Sequence, residues 1–257
     1  MKAIWTGAIG FGLVNIPIKL FSAIEDSDLD LDMLDSKDHS NIKFKRVNES
    51  TGKEVTFANI VKAYNLDGKY VVLDDEDFEK AMPEKTKSID ITSFTQASEI
   101  DSIYYENPYY AEPAKGGDRA YKLFHAALEK SGKVGIGSFV MRNKEKPCLV
   151  KTSGNALLIQ RIRFAQEIRA TEYLKIPASE PKPAEIKMAL SLIDQLTTEF
   201  DIAGIKDTYT EKLMELIKAK AKGKSVKQPT LKVAHSKTED LMAQLQASLQ
   251  SKVKKAG

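Results

Sequence analysis

The feature that most limits what this chain can become is a change in hydrophobic period. Up to about residue 163 the apolar residues recur in short alternating runs broken by glycine and proline, whereas beyond Pro177-Ala178-Ser179-Glu180-Pro181-Lys182-Pro183 they recur at helical spacing. Alternation with period two is the mark of strands buried on one face, so the first two thirds read as a barrel or strongly curved sheet with one or two helices attached. The last third reads as helices. A chain of 257 residues with 42% apolar side chains can fill a sizeable core.

Within the first part, Ala3 to Phe21 reads as two strands, and Ile42-Lys43-Phe44-Lys45 as another. Thr51-Gly52 and Asp67-Gly68 are hairpin signals, the second placed before Tyr70-Val71-Val72-Leu73. Asp74 to Met82 predicts a short helix capped by its own acids. Ile89, Ile91 and Phe94 predict a strand, and the aromatic run from Ile103 to Tyr110 an edge strand, because Pro108 donates no ladder hydrogen bond. Gly117 to Ser131 is a helix with Ala120, Phe124, Ala127 and Leu128 on its apolar face, closed by Gly132. Lys133 to Met141, with Gly135 and Gly137, predicts a strand in close backbone contact. A hairpin turning at Ser153-Gly154-Asn155 follows.

In the last part Pro183 suits a first helical turn, and Ile186, Ala189, Leu190, Ile193 and Leu196 share a face as far as Phe200. Thr208-x-x-Glu211 and Ser236-x-x-Glu239 are capping-box signatures for two further helices. The division expected is a barrel core over 1–180, a helical arm over 181–222, a basic linker over 223–235, and an amphipathic helix with a short basic tail over 236–257. Leu241, Met242, Leu245 and Leu249 form one face of that last helix. A tethered helix has no adjacent core for such a face, which suits docking into a partner's groove.

Charge is distributed unevenly. The formal total is +3, but segments 1–114, 115–163, 164–217 and 218–257 carry −9, +8, −4 and +8. Two basic blocks in an otherwise acidic chain are the footprint of selected surfaces facing a polyanion. Candidate phosphate contacts are Lys43, Lys45 and Arg46; Arg119 and Lys122 on the helix; Lys133, Arg142 and Lys144; and Arg161 with Arg163, whose spacing of two puts both on one face of a strand. Lys252, Lys254 and Lys255 form an auxiliary basic tail.

Catalytic and cofactor signatures are missing. Gly223-Lys224-Ser225 lacks the earlier glycine of a phosphate-binding loop, Gly10-Phe11-Gly12 lacks the rest of a dinucleotide fingerprint, and no nucleophile elbow or His-Glu-x-x-His helix occurs. One cysteine, Cys148, and three scattered histidines give neither an internal disulfide nor a metal-ligand spacing, so no cofactor or metal is expected. The aspartates at Asp28, Asp30 and Asp32 leave one enzymatic alternative, a metal-dependent nuclease. No apolar run is long enough to span a membrane, and the glycine-punctuated N-terminus fits strands better than a signal peptide.

Ile4-Trp5-Thr6-Gly7 followed by Phe11-Gly12-Leu13-Val14-Asn15-Ile16-Pro17-Ile18-Lys19-Leu20 closely resembles the opening of the bacterial Ku proteins. Ile60-Val61-Lys62-Ala63-Tyr64, Ile100-Asp101-Ser102-Ile103-Tyr104-Tyr105, Tyr109-Tyr110-Ala111-Glu112-Pro113, Lys133-Val134-Gly135-Ile136 and Lys206-Asp207-Thr208-Tyr209 continue the resemblance in the same order, over nearly the whole chain. It implies a mainly β fold with helices: a β-barrel core carrying a bridge, which in a homodimer closes a ring around the end of a DNA duplex, and a helical C-terminal region. It also implies a non-enzymatic role in non-homologous end joining, with an ATP-dependent DNA repair ligase recruited through the C-terminal region, in the cytoplasm at the nucleoid.

Overall fold

A computed structural model describes residues 1–81 and 87–223, together with 242, 244–246 and 248. Residues Met1 to Asp26 and Asp30 to Ala170 form one compact unit, and the chain from Thr171 onward, with Ser27 to Leu29, forms a second.

The first unit is a closed seven-stranded barrel. Its strands are β1 (Trp5–Phe11), β2 (Val14–Ser22), β5 (Ser88–Gln96), β6 (Tyr105–Pro113), β7 (Lys133–Met141), β8 (Lys144–Ser153) and β9 (Ala156–Ile162), in the order β1-β2-β6-β9-β8-β7-β5. All neighbours are antiparallel except β1 and β5, which run parallel and close the barrel. Residues 23–87 form an excursion between β2 and β5. It carries a two-stranded hairpin, β3 (Lys62–Leu66) and β4 (Lys69–Leu73), and the short helix α1 (Asp75–Lys80).

Local sequence explains several elements directly. Asp67 and Gly68 adopt φ of 49° and 85°, so β3 and β4 are joined by the tight turn that Asp-Gly favours. Asp74 caps α1 reciprocally with Asp77. Gly137 faces β5 so closely that a Cβ would lie 2.4 Å from the Asp90 carbonyl oxygen, which accounts for the close backbone contact expected of that strand.

Three expectations are corrected. Ile42 to Lys45 is not a strand; only isolated bridges, Leu34 with Asn41 and Val47 with Glu54, bracket it. The tyrosine-rich strand β6 is not an edge, since it lies between β2 and β9, and Pro108 is accommodated where the register with β9 shifts. In α2 (Asp118–Ser131) the buried face is Tyr121, Phe124 and Leu128, with Ala127 exposed. Gly132 ends α2 in the left-handed conformation, φ 64°.

The core is the barrel interior. Ile9, Ile16, Ile18, Leu20, Ile89, Phe139, Cys148, Val150, Leu157 and Ile159 are buried inside it. Helix α2 lies at one end: Phe124 stacks on Phe11 with centroids 4.6 Å apart. The Tyr121 hydroxyl donates to the Ala111 carbonyl and accepts from the Leu157 amide, both at 2.7 Å, relaying the β6–β9 ladder where the two strands part.

The second unit holds α3 (Pro183–Leu196) and α4 (Thr208–Ala221). Pro183 is in the first turn of α3, and Glu185 accepts from the Lys182 amide at 2.8 Å. Helix α3 stops at Leu196 rather than reaching Phe200. The N-cap of α4 is Asp207, not Thr208: its carboxylate accepts from the Thr210 amide, and hydrogen bonding from the Thr210 side chain first, then from that amide, holds the Asp207 carboxyl below its ordinary pKa. No residue of α3 or α4 is buried, and Ile186, Leu190, Ile193 and Leu196 stand exposed on α3.

Candidate nucleic-acid interface

Strand direction gives the barrel two chemically different ends. β2, β7 and β9 end, and β1, β5, β6 and β8 begin, at one rim, because Trp5 pairs with Leu20, Met141 with Lys144, Tyr105 with Ile162, and Gln96 with Lys133 at the far rim. The far rim is occupied by α2. At the near rim, which we call the mouth, the Trp5 ring packs edge-on against Phe139 with centroids 5.6 Å apart and donates to the Val140 carbonyl at 3.0 Å. The excursion of residues 23–87 leaves β2 and returns to β5 at this mouth, which is why β5 must run parallel to β1.

Register then dictates what lines the mouth. Residues directly opposite in a ladder face the same side, and alternate residues share a face. Cys148 and Val150 point into the core, so Lys146 and Lys144 on the same strand point inward nearer the rim; Lys146 lies opposite the core residue Phe139, and Arg161 opposite Cys148. The apolar interior thus passes within two residues into cations. They line a cleft of about 550 Å³ with Arg142, Ser22, Asn107 and Tyr109 and with the apolar Ile4 and Met141.

Arg142 and Asn143 make the β7–β8 turn with φ of 50° and 63°. This left-handed pair fixes where the guanidinium is carried. A neighbouring cleft joins Arg142, Asn143 and Lys144 to Lys62, Asp75, Phe78 and Glu79, so the excursion comes back against the same turn. The Lys62 ammonium sits 4.8 Å from the Phe78 ring centroid, tying β3 to α1.

Arg161 and Arg163 face the same side, as their spacing predicts, but both turn to one acid. Arg161 bonds Glu106, with side chains only 17% and 23% exposed, and the Arg163 Nε lies 3.9 Å from the other Glu106 oxygen. Arg163 also donates to the Ile103 and Tyr105 carbonyls at 3.0 and 2.6 Å. Much of this pair's binding capacity is therefore spent holding β9 to the start of β6. Among the described residues no carboxylate ion-pairs with Arg142, Lys144 or Lys146.

The remaining candidates lie elsewhere. Lys133 begins β7 at the far rim, and nine residue steps of about 3.3 Å put it roughly 30 Å along the strand from Arg142. Arg119 and Lys122 are exposed on α2 near that same rim. In the excursion Lys43 is exposed, Lys45 pairs with Glu54 at 2.6 Å, and the Arg46 guanidinium lies 5.5 Å from the Phe57 ring centroid. Met242 and Leu245 are helical and half-buried; Leu241, Leu249, Lys252, Lys254 and Lys255, like the linker from 224 to 235, lie outside the described residues.

Lys146, Glu106 and Tyr109 were missed by sequence reasoning. Lys144-x-Lys146-x-Cys148 carried a signal, since the period of two leads from a core cysteine outward to both lysines. His125 has a packing role, its Nε2 lying 2.9 Å from the Gly154 carbonyl. Asp28, Asp30 and Asp32 are exposed on irregular chain, not on a strand, and among the described residues no group of three His, Cys, Asp or Glu side chains is placed to hold a metal ion. The nuclease alternative finds no support. No helix among the described residues is long and apolar enough to cross a membrane.

Comparison with known proteins agrees with this architecture. The family model described as the Ku70/Ku80 beta-barrel domain matches residues 10–188. A non-homologous end joining protein Ku of Coxiella burnetii is 35% identical, covering 98% of this chain and 96% of its own. Proteins of the same name from Bacillus subtilis and Archaeoglobus fulgidus are 36% and 35% identical, over 97% and 98% of this chain and 82% and 99% of theirs. The cationic mouth thus sits on a barrel matched by a family model over more than half the chain and by relatives over nearly all of it: the chain belongs to the Ku family.

Proposed function

We propose that this protein binds the ends of duplex DNA, without regard to sequence, as a ring-shaped homodimer acting in non-homologous end joining. In this reading it recruits an ATP-dependent DNA repair ligase through its C-terminal helix and performs no chemistry itself. The relatives named above are each non-homologous end joining proteins, which supports the pathway.

The observation that carries the reading is the mouth. Arg142, Lys144 and Lys146 are held on a closed barrel, without carboxylate partners among the described residues, at the rim from which the excursion departs and to which it returns. Duplex DNA carries one negative charge per about 1.7 Å of axis, and cations on a rigid wall release its counterions regardless of base sequence. A break occurs at any sequence, so backbone contact is what such a protein needs. Preference for ends then comes from topology, because a closed ring is entered only at a terminus. The exposed stripe of Ile186, Leu190, Ile193 and Leu196 is the kind of surface a dimer buries, and Met242 and Leu245 lie on the helix assigned to the ligase.

The test is retention on DNA of defined topology. The dimer should load on a linear duplex, stay on it in high salt once both ends are blocked, and leave a covalently closed circle of the same sequence unbound. Equal retention on the circle contradicts the reading.

A further inference from the structure

The mouth is a concavity, and a duplex some 20 Å across presents a convex surface to it. Lys146 is set deeper than Lys144 and Arg142, so the cations that meet duplex phosphates at the rim also face the cleft beneath it. Lys146 points inward just outside the Cys148 layer, beside Arg161, while Lys144 and Arg142 stand at the rim above them. The cleft volume of about 550 Å³ falls within the range of small-ligand sites, which commonly occupy the mouths of β-barrels. Its acidic surroundings are limited: Glu106 serves Arg161 and Arg163, and Asp75 and Glu79 line the adjoining cleft rather than this one. Three cations without carboxylate partners among the described residues repel one another, and a compact polyanion among them relieves that repulsion more fully than single phosphates passing at the rim.

We infer that the barrel mouth is a binding site for a free oligophosphate anion, which occupies the same cations as DNA and so competes with it. The inference rests on the DNA reading only for the competition; the site itself stands on the cleft. The lining suits a linear oligophosphate: Arg142, Lys144 and Lys146 border the cleft beside Asn107, with Ile4 and Met141 completing its wall, while Tyr109 is buried to 7% exposure and offers no face for a base to stack on.

The experiment is calorimetric titration of the full-length wild-type protein with tripolyphosphate and, separately, with ATP, followed by DNA-end retention in the presence of each. Saturable binding of one anion per protomer is expected, with tripolyphosphate and ATP of comparable affinity. K144Q/K146Q should weaken it at least tenfold and K133Q, at the far rim, leave it unchanged. Tripolyphosphate should also raise the melting temperature and displace end-bound DNA. Absence of saturable binding, or equal loss in K133Q, overturns the inference. ATP binding tenfold tighter than tripolyphosphate overturns the assignment of a bare oligophosphate. Failure of the anion to bind while DNA ends are still retained removes this inference alone; failure to retain DNA ends without competitor removes the function proposed above.

Discussion

At the scale of single residues, three side chains hold the barrel together in ways that can be measured. The Tyr121 hydroxyl is the relay between the Ala111 carbonyl and the Leu157 amide, so Tyr121→Phe leaves two buried backbone groups unpaired. A loss of about 1–3 kcal/mol in denaturant unfolding is expected, with DNA binding unchanged. Glu106 is the only described acid paired with Arg161 and Arg163. Glu106→Gln should lower stability by about 2 kcal/mol or more, because it strands a mostly buried guanidinium, while binding to duplex DNA strengthens as Arg161 loses its partner. Cys148 is fully buried, and burial pushes its thiol up to about 12. The unfolded thiol titrates near 9, so above that pH the unfolded chain releases a proton the folded chain keeps, and stability falls as pH rises from 9 towards 12. Modification of Cys148 by a thiol reagent at pH 8 should accordingly follow the rate of global unfolding. Fast modification of the folded protein contradicts the packing described.

At the scale of elements, what was legible in the sequence was what short stretches determine alone. The Asp67-Gly68 and Gly154 turns, the acid-capped α1, the Gly132 stop of α2 and the Pro183 start of α3 each follow from one or two residues whose conformational preferences act locally. What depends on register was not legible. Nothing in Ile103 to Tyr110 says that β6 lies inside a sheet, because Pro108 is excused only by a shift against β9 that the partner strand sets. The candidate site shows the same divide. Arg142 and Lys144 were named, whereas Lys146 emerges only once Phe139 and Cys148 fix which face is inward, and the neutralisation of Arg161 and Arg163 by Glu106 crosses more than fifty residues of sequence. The β7–β8 turn separates fold from function. Asn143→Gly should keep the turn and raise stability by up to about 1 kcal/mol, since φ of 63° costs glycine nothing, and leave DNA affinity unchanged. Arg142→Gly keeps the same turn but removes a cation from each protomer, so affinity should fall and the salt dependence of binding by the homodimer shrink by about two counterions.

At the scale of the whole molecule, the account places DNA at one end of the barrel. Helix α2 lies at the far rim, and the excursion of residues 23–87 begins and ends at the mouth, where Arg142, Lys144 and Lys146 stand. The near-neutral total charge of +3 hides this polarity, because the acidic first segment supplies the excursion and the basic middle segment supplies the wall beneath it. The most direct test is the slope of log affinity against log salt for a linear duplex, measured on the wild type, on K144Q/K146Q and on K122Q/K133Q. The account predicts that the mouth variant of the homodimer loses about four units of slope magnitude, two per protomer, and that the far-rim variant matches the wild type. A reduced slope in K122Q/K133Q with no change in K144Q/K146Q would contradict it.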